Sequence, residues 1–385
     1  MELRQDQVSA TRVMVVGCGA LGNEVLKNLV LMGVEHIVAV DFDVVEMGNL
    51  SRSVLFCRSD AQQGRLKVEA AAERLRTMNP DADVRGICGD VAYDVGLGLI
   101  RQMDVVIGCV DSRWARFCIN RLCMRAGVPW VDGGIDGLEG TARVFAPGQN
   151  CYACNLGPEG RRDLARRMPC SGTIRRMERA GSAPTTSIVA SVIGAVEVQE
   201  ALKITTLAQP LTETTHPQPL PVREGSLCGR MFYYDGETMN VRTAHYRAYD
   251  DDCAEHEQWE PVESTTVGRN HTVADAIRIW RMEWGAERVT LSLVNDCFVD
   301  YVSRRDNDER VAVMLPGRRV EAFVAEHAET SGLPLGSLYQ HEYRRVDETF
   351  PYGQLTLAQI GIPERDIVRV TVDGKEKFLE VKSDK

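Results

Sequence analysis

The fold is decided by the stretch VMVVGCGALG, residues 13–22. The β-branched run from Val13 to Val16 predicts a short strand, and the glycines that follow it predict a tight turn. From Ala20 to Met32 apolar residues recur with helical spacing, until Gly33 ends the pattern. Glycines between a strand and a helix let a phosphate approach the helix N-terminus. The stretch therefore predicts a nucleotide-binding unit.

Strands and helices continue to alternate along the first two thirds of the chain. The pattern predicts strands at Ile37 to Val40, Val105 to Cys109, near Val128 to Val131, and Ala142 to Phe145. It predicts helices at Lys67 to Met78, Arg113 to Ala126 and Ser187 to Lys203. Such alternation is typical of an α/β fold, here an open, mostly parallel, Rossmann-like sheet with helices on both faces.

Breaks in this pattern predict the domain organisation. Residues 1–260 form one domain, into which a loop-rich, arginine-rich segment at about 155–184 is inserted. Four prolines within 205–227 indicate a mobile insert. Residues 263–385 mix period-two and helical patterns, and Thr272 with Asp275 forms a capping box there. This last segment is predicted to be a small α+β domain.

Composition excludes several classes of protein. The 385 residues carry 45 basic and 55 acidic side chains, a net charge of −10, which argues against a nucleic-acid partner. No apolar run is long enough for a membrane span, and residues 1–12 lack the apolar core of a secretory signal. We therefore expect a cytoplasmic protein whose twelve cysteines are reduced, metal-bound or catalytic.

Charged and amide side chains cluster after the predicted strands. They are Asp41, Asp43, Asn49, Arg52, Lys67 and Asp111. An acid about twenty residues after the glycine loop is also typical of a nicotinamide dehydrogenase, which is one alternative. A hydride-transfer site does not need the two cations, whereas attack of a carboxylate on the α-phosphate of ATP does, because the negative charge of both reactants must be offset.

In these motifs the sequence resembles the adenylation domain shared by the activating enzymes of ubiquitin and ubiquitin-like proteins and by the bacterial sulfur-carrier adenylyltransferases of thiamine and molybdopterin synthesis. The resemblance spans about Arg12 to His256. It implies ATP and Mg²⁺ as ligands and assigns the site by position: Gly17, Gly19 and Gly22 to the phosphate loop, Asp41 to the ribose, Asp43 beside it, Asn49 and Arg52 to the nucleotide, Lys67 to the phosphates and Asp111 to the metal side.

Two cysteines at a spacing typical of zinc sites, Cys151 and Cys154, form half of a tetrahedral site. The resemblance places the other half near the end of the adenylation domain, where Cys253 and His256 offer Cys-x-x-His in place of the usual Cys-x-x-Cys. We expect these four residues to bind a structural Zn²⁺. Two reserve ligands are Cys228 and His245.

One further cysteine, Cys170, distinguishes the two branches of the family. Its Pro-Cys-Ser context and the surrounding arginines resemble the thioester cysteine of the ubiquitin-type activating enzymes. The segments 355–363 and 366–370 look like the end of a β-grasp, ubiquitin-fold domain, which in those enzymes receives the conjugating enzyme.

The expected function is ATP-dependent activation of a ubiquitin-like protein. Its free C-terminal carboxylate would be adenylated, captured on Cys170 as a thioester and passed to a conjugating enzyme. The alternative within the family is a sulfur-carrier adenylyltransferase that stops at the acyl-adenylate. Outside the family the alternatives are an NAD(P)-dependent dehydrogenase and a non-catalytic adaptor that only binds a ubiquitin-like partner. A homodimer is an arrangement that the resemblance leaves open.

Overall fold

The computed structural model describes residues 4–167, 186–206, 226–246, 249–304, 310–331 and 338–382. These residues divide into two compact units. The larger unit lies within Met1–Val91, Ile100–Gly160 and Ala180–Gln258. The smaller unit lies within Ala92–Leu99, Arg161–Arg179 and Trp259–Lys385.

One eight-stranded sheet organises the larger unit. Its strands are β1 (Arg12–Val16), β2 (His36–Val40), β3 (Asp83–Ile87), β4 (Val105–Gly108), β5 (Trp130–Asp136), β6 (Glu139–Phe145), β7 (Arg230–Asp235) and β8 (Asn240–His245). They lie in the order β3-β2-β1-β4-β5-β6-β7-β8, and β1 to β5 pair in parallel. From β5 to β8 the pairing is antiparallel. The predicted fold class, a mostly parallel Rossmann-like sheet, is confirmed.

Among the described residues, six α-helices lie entirely within the larger unit: α1 (Gln5–Ala10), α2 (Ala20–Met32), α3 (Arg58–Gln63), α4 (Lys67–Met78), α6 (Arg113–Ala126) and α8 (Ser187–Thr206). Two more, α5 (Leu97–Ile100) and α7 (Pro158–Arg167), have most of their residues in the smaller unit. The chain steps from β1 to β2 in one direction and from β4 to β5 in the other, so right-handed crossovers place α2 and α6 on opposite faces of the sheet. Helix α8 packs against α2. The central strand β1 is buried from its second residue onward, as expected for a sheet covered on both sides.

Two neighbouring strands differ from their predicted bounds. Strand β6 begins at Glu139, three residues before the predicted Ala142. The sequence pattern placed a strand near Val128 to Val131, but β5 begins at Trp130 and continues to Asp136 before it turns into β6. Proline at 129 has no N–H to donate to the ladder, and the glycines at 133 and 134 do not show the apolar pattern of a strand. Pairing with β4 and β6 holds the segment extended in spite of that composition.

From residue 259 onward, the described part of the smaller unit forms two sheets and two α-helices. Its elements are β9 (Val262–Gly268), α9 (Val273–Trp284), β10 (Val289–Ser292), β11 (Phe298–Arg304), β12 (Arg310–Pro316), α10 (Gly317–Ser331), β13 (Leu338–Tyr343), β14 (Arg345–Val346), β15 (Ile367–Val372) and β16 (Lys375–Lys382). The sheets have the orders β14-β10-β15-β16-β9 and β12-β11-β13. The first strand, β9, runs parallel to the last, β16. The predicted cap is present, since the Thr272 hydroxyl accepts a hydrogen bond from Asp275 N at 3.1 Å.

A short segment from the first third of the sequence, Ala92–Leu99, belongs to the smaller unit. Leu97 N donates to the buried Asp366 carboxylate at 2.9 Å, and Gly98 N donates to Arg365 O at 2.8 Å. Both contacts join residues more than 260 positions apart. No local pattern in the sequence indicated them.

Candidate functional site

The predicted nucleotide residues lie where the order of the parallel strands reverses. Strands β1 and β4 are neighbours in the sheet, but the chain leaves them towards opposite edges. The loops that follow these two strands therefore separate and leave a crevice, which is where open α/β sheets bind ligands. Gly17 follows β1, Asp41 follows β2, and Asp111 comes three residues after β4.

Two glycines after β1 are required by close packing: Gly17 in the loop and Gly22 in the first turn of α2. Gly17 has φ +96°, and a Cβ there would lie 2.5 Å from Cys109 O. A Cβ on Gly22 would lie 1.9 Å from Gly17 O, so only glycine lets α2 approach the loop this closely. At Gly19, by contrast, the space around a Cβ is open to 4 Å among the described residues. The N-terminus of α2 is thus open to a phosphate group.

A chain of hydrogen bonds joins this loop to the predicted phosphate lysine. One carboxylate oxygen of Asp41 accepts from Cys18 N at 2.7 Å, and the other accepts from Asp43 N at 2.8 Å. The Asp43 carboxylate in turn holds Lys67 Nζ at 2.8 Å. Burial raises the pKa of Asp41, and the charge of Lys67 opposes that rise. The structure therefore brings the two acids and the lysine together at one strand edge.

A residue that the sequence reasoning missed supports the same loop. Asn23 is fully buried in α2, and its amide nitrogen donates to Cys18 O at 2.8 Å and Gly19 O at 3.0 Å. Its oxygen accepts from Leu55 N at 2.8 Å. A buried asparagine among apolar helix residues was the available signal, because buried polar side chains need partners.

Asn49 and Arg52 both lie in the segment between β2 and α3. Asn49 Oδ1 accepts from Glu46 N at 2.9 Å and so caps a single 3₁₀ turn, Met47–Asn49. Arg52 Nη1 donates to Gly48 O at 3.0 Å, and its side chain is half-buried. The short turn thus fixes the backbone from which both side chains project.

Asp111 is exposed directly before α6. The next residue, Ser112, is the N-cap of that helix, and its hydroxyl accepts from Ala115 N at 3.0 Å. The position of Asp111 is thereby set by a strand on one side and a capped helix on the other. A carboxylate at such a place can hold a magnesium ion.

A buried group of charges lies along β5. Asp132 is fully buried, accepts from Arg116 Nε at 2.8 Å and is ion-paired with Arg143. A cavity of about 360 Å³ lies beside these two arginines. It is also lined by Arg113, by Tyr152 and by the first turn of α7. Three arginines and one acid, Glu159, line the cavity, and two of the arginines are paired with Asp132. The excess of guanidinium groups makes the cavity suitable for an anionic group.

Glu197 of α8 is a buried acid that the sequence reasoning also missed. It is completely inaccessible to solvent, and a Cβ on Gly133 would lie 2.5 Å from its carboxyl carbon. Within the described part of the chain its Oε1 has no hydrogen-bond partner. Burial, followed by the charge of Asp132, raises the pKa of Glu197 well above the usual value, while Arg116 opposes the rise. We infer that burial, with no hydrogen bond to Oε1 among the described residues, favours the neutral form of the carboxyl.

This inference predicts the pH dependence of stability. With a raised folded-state pKa, the acid releases its proton on unfolding, so stability falls as pH rises above the unfolded pKa of about 4.3. Glu197→Gln keeps the shape of the side chain and removes the group that titrates. We expect the variant to gain on the wild type by a few degrees in Tm at pH 8 and less at pH 5. Thermal unfolding at both pH values measures this.

The matched control for Glu197 lies one turn further along the same helix. Glu200 is also buried but is paired with Lys203 at 2.6 Å and accepts from Leu227 N at 2.9 Å. Glu200→Gln should therefore lose stability at pH 8. An equal loss at pH 8 in Glu197→Gln would contradict a neutral Glu197.

The four predicted metal ligands meet at one point. The donor atoms of Cys151, Cys154, Cys253 and His256 all lie within 4.8 Å of one another. Two Zn–S bonds of about 2.3 Å at a tetrahedral angle place their sulfur atoms about 3.8 Å apart. Cys151 Sγ lies 3.7 Å from Cys154 Sγ and 3.9 Å from Cys253 Sγ. His256 Nε2 lies 3.2 Å from Cys154 Sγ.

The protonation of the histidine in this cluster also suits a metal ion. Burial lowers the pKa of the His256 imidazole, which leaves it neutral at pH 7, as a metal ligand must be. Tyr249 stacks on its ring with centroids 4.3 Å apart. The reserve ligands Cys228 and His245 are not part of the cluster among the described residues.

The predicted thioester residue, Cys170, lies outside the described residues, as do most positions of its segment. Most of the predicted insert at 205–227 also lies outside the described residues, which end at Thr206 with α8 and begin again at Ser226. In the part of the chain that the structure describes, no helix is long and apolar enough to cross a membrane.

Comparison with known proteins supports one family. A family model described as the ThiF family matches residues 1–255. The SAMP-activating enzyme E1 of Haloferax volcanii is 32% identical over 248 residues, which cover 64% of this chain and 81% of that protein. The molybdopterin-synthase adenylyltransferase of Haemophilus influenzae is 28% identical over 240 residues, 62% of this chain and 86% of that protein.

A longer relative shows how far the similarity reaches. The mouse adenylyltransferase and sulfurtransferase MOCS3 is 30% identical over 250 residues, and the chain covers 65% of its own length but only 48% of that protein. These three similarities cover between 62% and 65% of this chain.

Proposed function

The chain belongs to the ThiF family, and from that premise we propose that it is an ATP-dependent enzyme that adenylates the C-terminal carboxylate of a ubiquitin-like or sulfur-carrier protein. The observation that carries the proposal is the crevice between β1 and β4. Beside it lie an open glycine loop, Asp41 as the proposed ribose acid, and the buried Lys67, all joined by hydrogen bonds at the carboxyl edge of the sheet. That set of groups matches the needs of phosphate transfer chemistry.

The proposed reaction is an in-line displacement at the α-phosphorus of ATP. An oxygen of the substrate carboxylate forms a bond to that phosphorus, the bond to the bridging oxygen breaks, and pyrophosphate leaves with the electron pair. Lys67 and Arg52 offset the negative charge that builds up, and the loop before α2 supplies backbone N–H groups. Magnesium, when bound beside Asp111, would offset further charge on the phosphate oxygens.

The cavity lined by arginines supports a carboxylate substrate. Its three arginines outnumber the two acids, Glu159 in the lining and the buried Asp132 that two of them pair with. Arg113 follows Asp111 by only two residues. A chain end that carries a carboxylate would be attracted to such a surface and repelled by the net charge of −10 elsewhere.

We further propose that the acyl group then moves to Cys170 as a thioester. The thiolate would attack the carbonyl carbon of the acyl-adenylate, and AMP would leave. Six of the other cysteines are poorly suited, because burial raises the pKa of the thiols of Cys18, Cys109, Cys118, Cys123 and Cys297, and that of Cys228 to about 11. The alternative, a sulfur-carrier adenylyltransferase, is favoured by the similarity to the Haemophilus enzyme.

The smaller unit is proposed to recruit a conjugating enzyme, as a ubiquitin-fold domain would. It has its own core around Trp280, and its first and last strands run side by side in parallel. The four-residue metal cluster of the larger unit is proposed to bind a structural Zn²⁺, which the sulfur-to-sulfur distances support.

Pyrophosphate exchange tests the adenylation step. The full chain, ATP and radiolabelled pyrophosphate are incubated with each of a panel of purified β-grasp proteins from the source organism. We expect label to enter ATP with at least one of them. The matched control is the same protein with one extra C-terminal residue, which moves the carboxylate and should reduce exchange to background. Exchange with no member of the panel, or equal exchange with the extended form, would contradict the proposal.

A further inference from the structure

The metal cluster is assembled from two distant parts of the chain. Cys151 and Cys154 are separated from Cys253 and His256 by about one hundred residues. Each half offers only two donors, so the halves must be held in register before four donors can meet. A site that is already ordered binds its metal more tightly, because less chain entropy is lost on binding.

One turn of α6 contacts both halves. Asn120 is fully buried, and its side-chain oxygen accepts from Tyr152 N at 2.9 Å, inside the Cys-x-x-Cys loop. The next residue, Arg121, faces the other half. Its Nε and Nη2 donate to the two carboxylate oxygens of Glu255, each at 2.8 Å. Glu255 is the neighbour of the ligand His256.

The contact between Arg121 and Glu255 has the geometry of a strong ion pair. It is bidentate, and the side chains are only 22% and 14% exposed. The guanidinium also lies over the ring of Phe117, with its carbon 4.6 Å from the ring centroid. The pair is partly buried and is held by two hydrogen bonds. It therefore restricts the 3₁₀ turn Ala254–His256 far more than an exposed ion pair would.

We propose that Asn120 and Arg121 are positioning residues that align the two halves of the metal site from a single turn of α6. Neither touches the metal. Asn120 sets the Cys151 loop through a backbone N–H, and Arg121 sets the Cys253 loop through Glu255. The inference rests on the metal centre and is independent of the adenylation reaction.

Metal affinity of the full chain tests the proposal. The wild type and each variant are titrated with Zn²⁺ against a chelator of known affinity. Arg121→Met keeps the aliphatic stem and removes the ion pair, and Glu255→Gln removes the charge from the other side. We expect each to weaken Zn²⁺ binding about 10- to 100-fold, the range for partners that orient metal ligands. Both variants break the same contact. The double variant should therefore lose little more Zn²⁺ affinity than the weaker-binding single variant.

The control and the second measurement separate positioning from general loss of stability. Arg278→Met breaks an exposed ion pair with Asp275 in the smaller unit and should leave affinity within about twofold. At saturating Co²⁺, which reports the geometry of its ligands by absorption, Arg121→Met and Asn120→Ala should both show an altered d–d spectrum. If Arg121→Met does not fold, the Zn²⁺ affinity and the Co²⁺ spectrum of Glu255→Gln test the proposal instead. Unchanged affinity and spectrum, additive losses in the double variant, or a wild type that binds neither metal would overturn the proposal.

Discussion

Asp111→Ala is expected to lower substrate-dependent pyrophosphate exchange by about 10²- to 10³-fold, the usual effect of removing one electrostatic group from a transition state. The carboxylate lies at the tip of β4, beside the crevice, where it would hold the metal ion that offsets phosphate charge. Because Asp111 is exposed and follows a strand whose own residues are buried, the fold should remain intact. Initial rates at saturating ATP and varied Mg²⁺ measure the effect.

Two variants serve as controls for the Asp111 experiment. Asp111→Asn keeps the shape but not the charge, and it should be nearly as inactive, with a part of the loss recovered at high Mg²⁺. Asp81→Ala removes an exposed acid before β3, at the opposite edge of the sheet, and should exchange like the wild type. Exchange that persists in both Asp111 variants would move the metal-binding carboxylate elsewhere.

Cys170→Ala is expected to abolish the thioester while it leaves adenylation nearly unchanged. In the proposed reaction, the adenylation step depends on the phosphate loop, the cations and a bound metal ion, and the thiol acts only afterwards. The variant should therefore retain pyrophosphate exchange with the protein substrate. It should form no covalent conjugate that is sensitive to reducing thiols. Non-reducing gel electrophoresis after a single turnover measures the conjugate.

The matched control for Cys170 is Cys88, an exposed cysteine just after β3. Cys88→Ala should form the conjugate at the wild-type rate. An undiminished conjugate in Cys170→Ala would place the nucleophile elsewhere. Absence of any conjugate in the wild type, with exchange intact, would instead favour the sulfur-carrier alternative.

Local sequence signals were sufficient for several elements. Helices α2, α4 and α6 begin and end at the predicted residues. Each has apolar residues at helical spacing, and α2 and α6 end at a glycine with positive φ, Gly33 and Gly127. Both signals depend only on neighbours in the chain, so they can be read without knowing the fold.

The site was predictable in part for a related reason. Parallel strands that alternate with helices all end at one edge of the sheet, so polar residues placed after several strands must come near one another. The sequence therefore indicated that Asp41, Lys67 and Asp111 share an edge. It did not indicate which side chains contact one another. Only the structure shows that Lys67 pairs with Asp43.

By itself, then, the sequence determined the phosphate loop, the alternation of strands and helices around it, and the residue types at the strand ends, because these follow from local periodicity and turn chemistry. Only the tertiary structure decided the rest: the burial of Glu197 against Gly133, the pair of Arg121 with Glu255, and the attachment of Ala92–Leu99 to the smaller unit. Each of these joins residues tens to hundreds of positions apart, and such contacts depend on how whole elements pack, which no local pattern records.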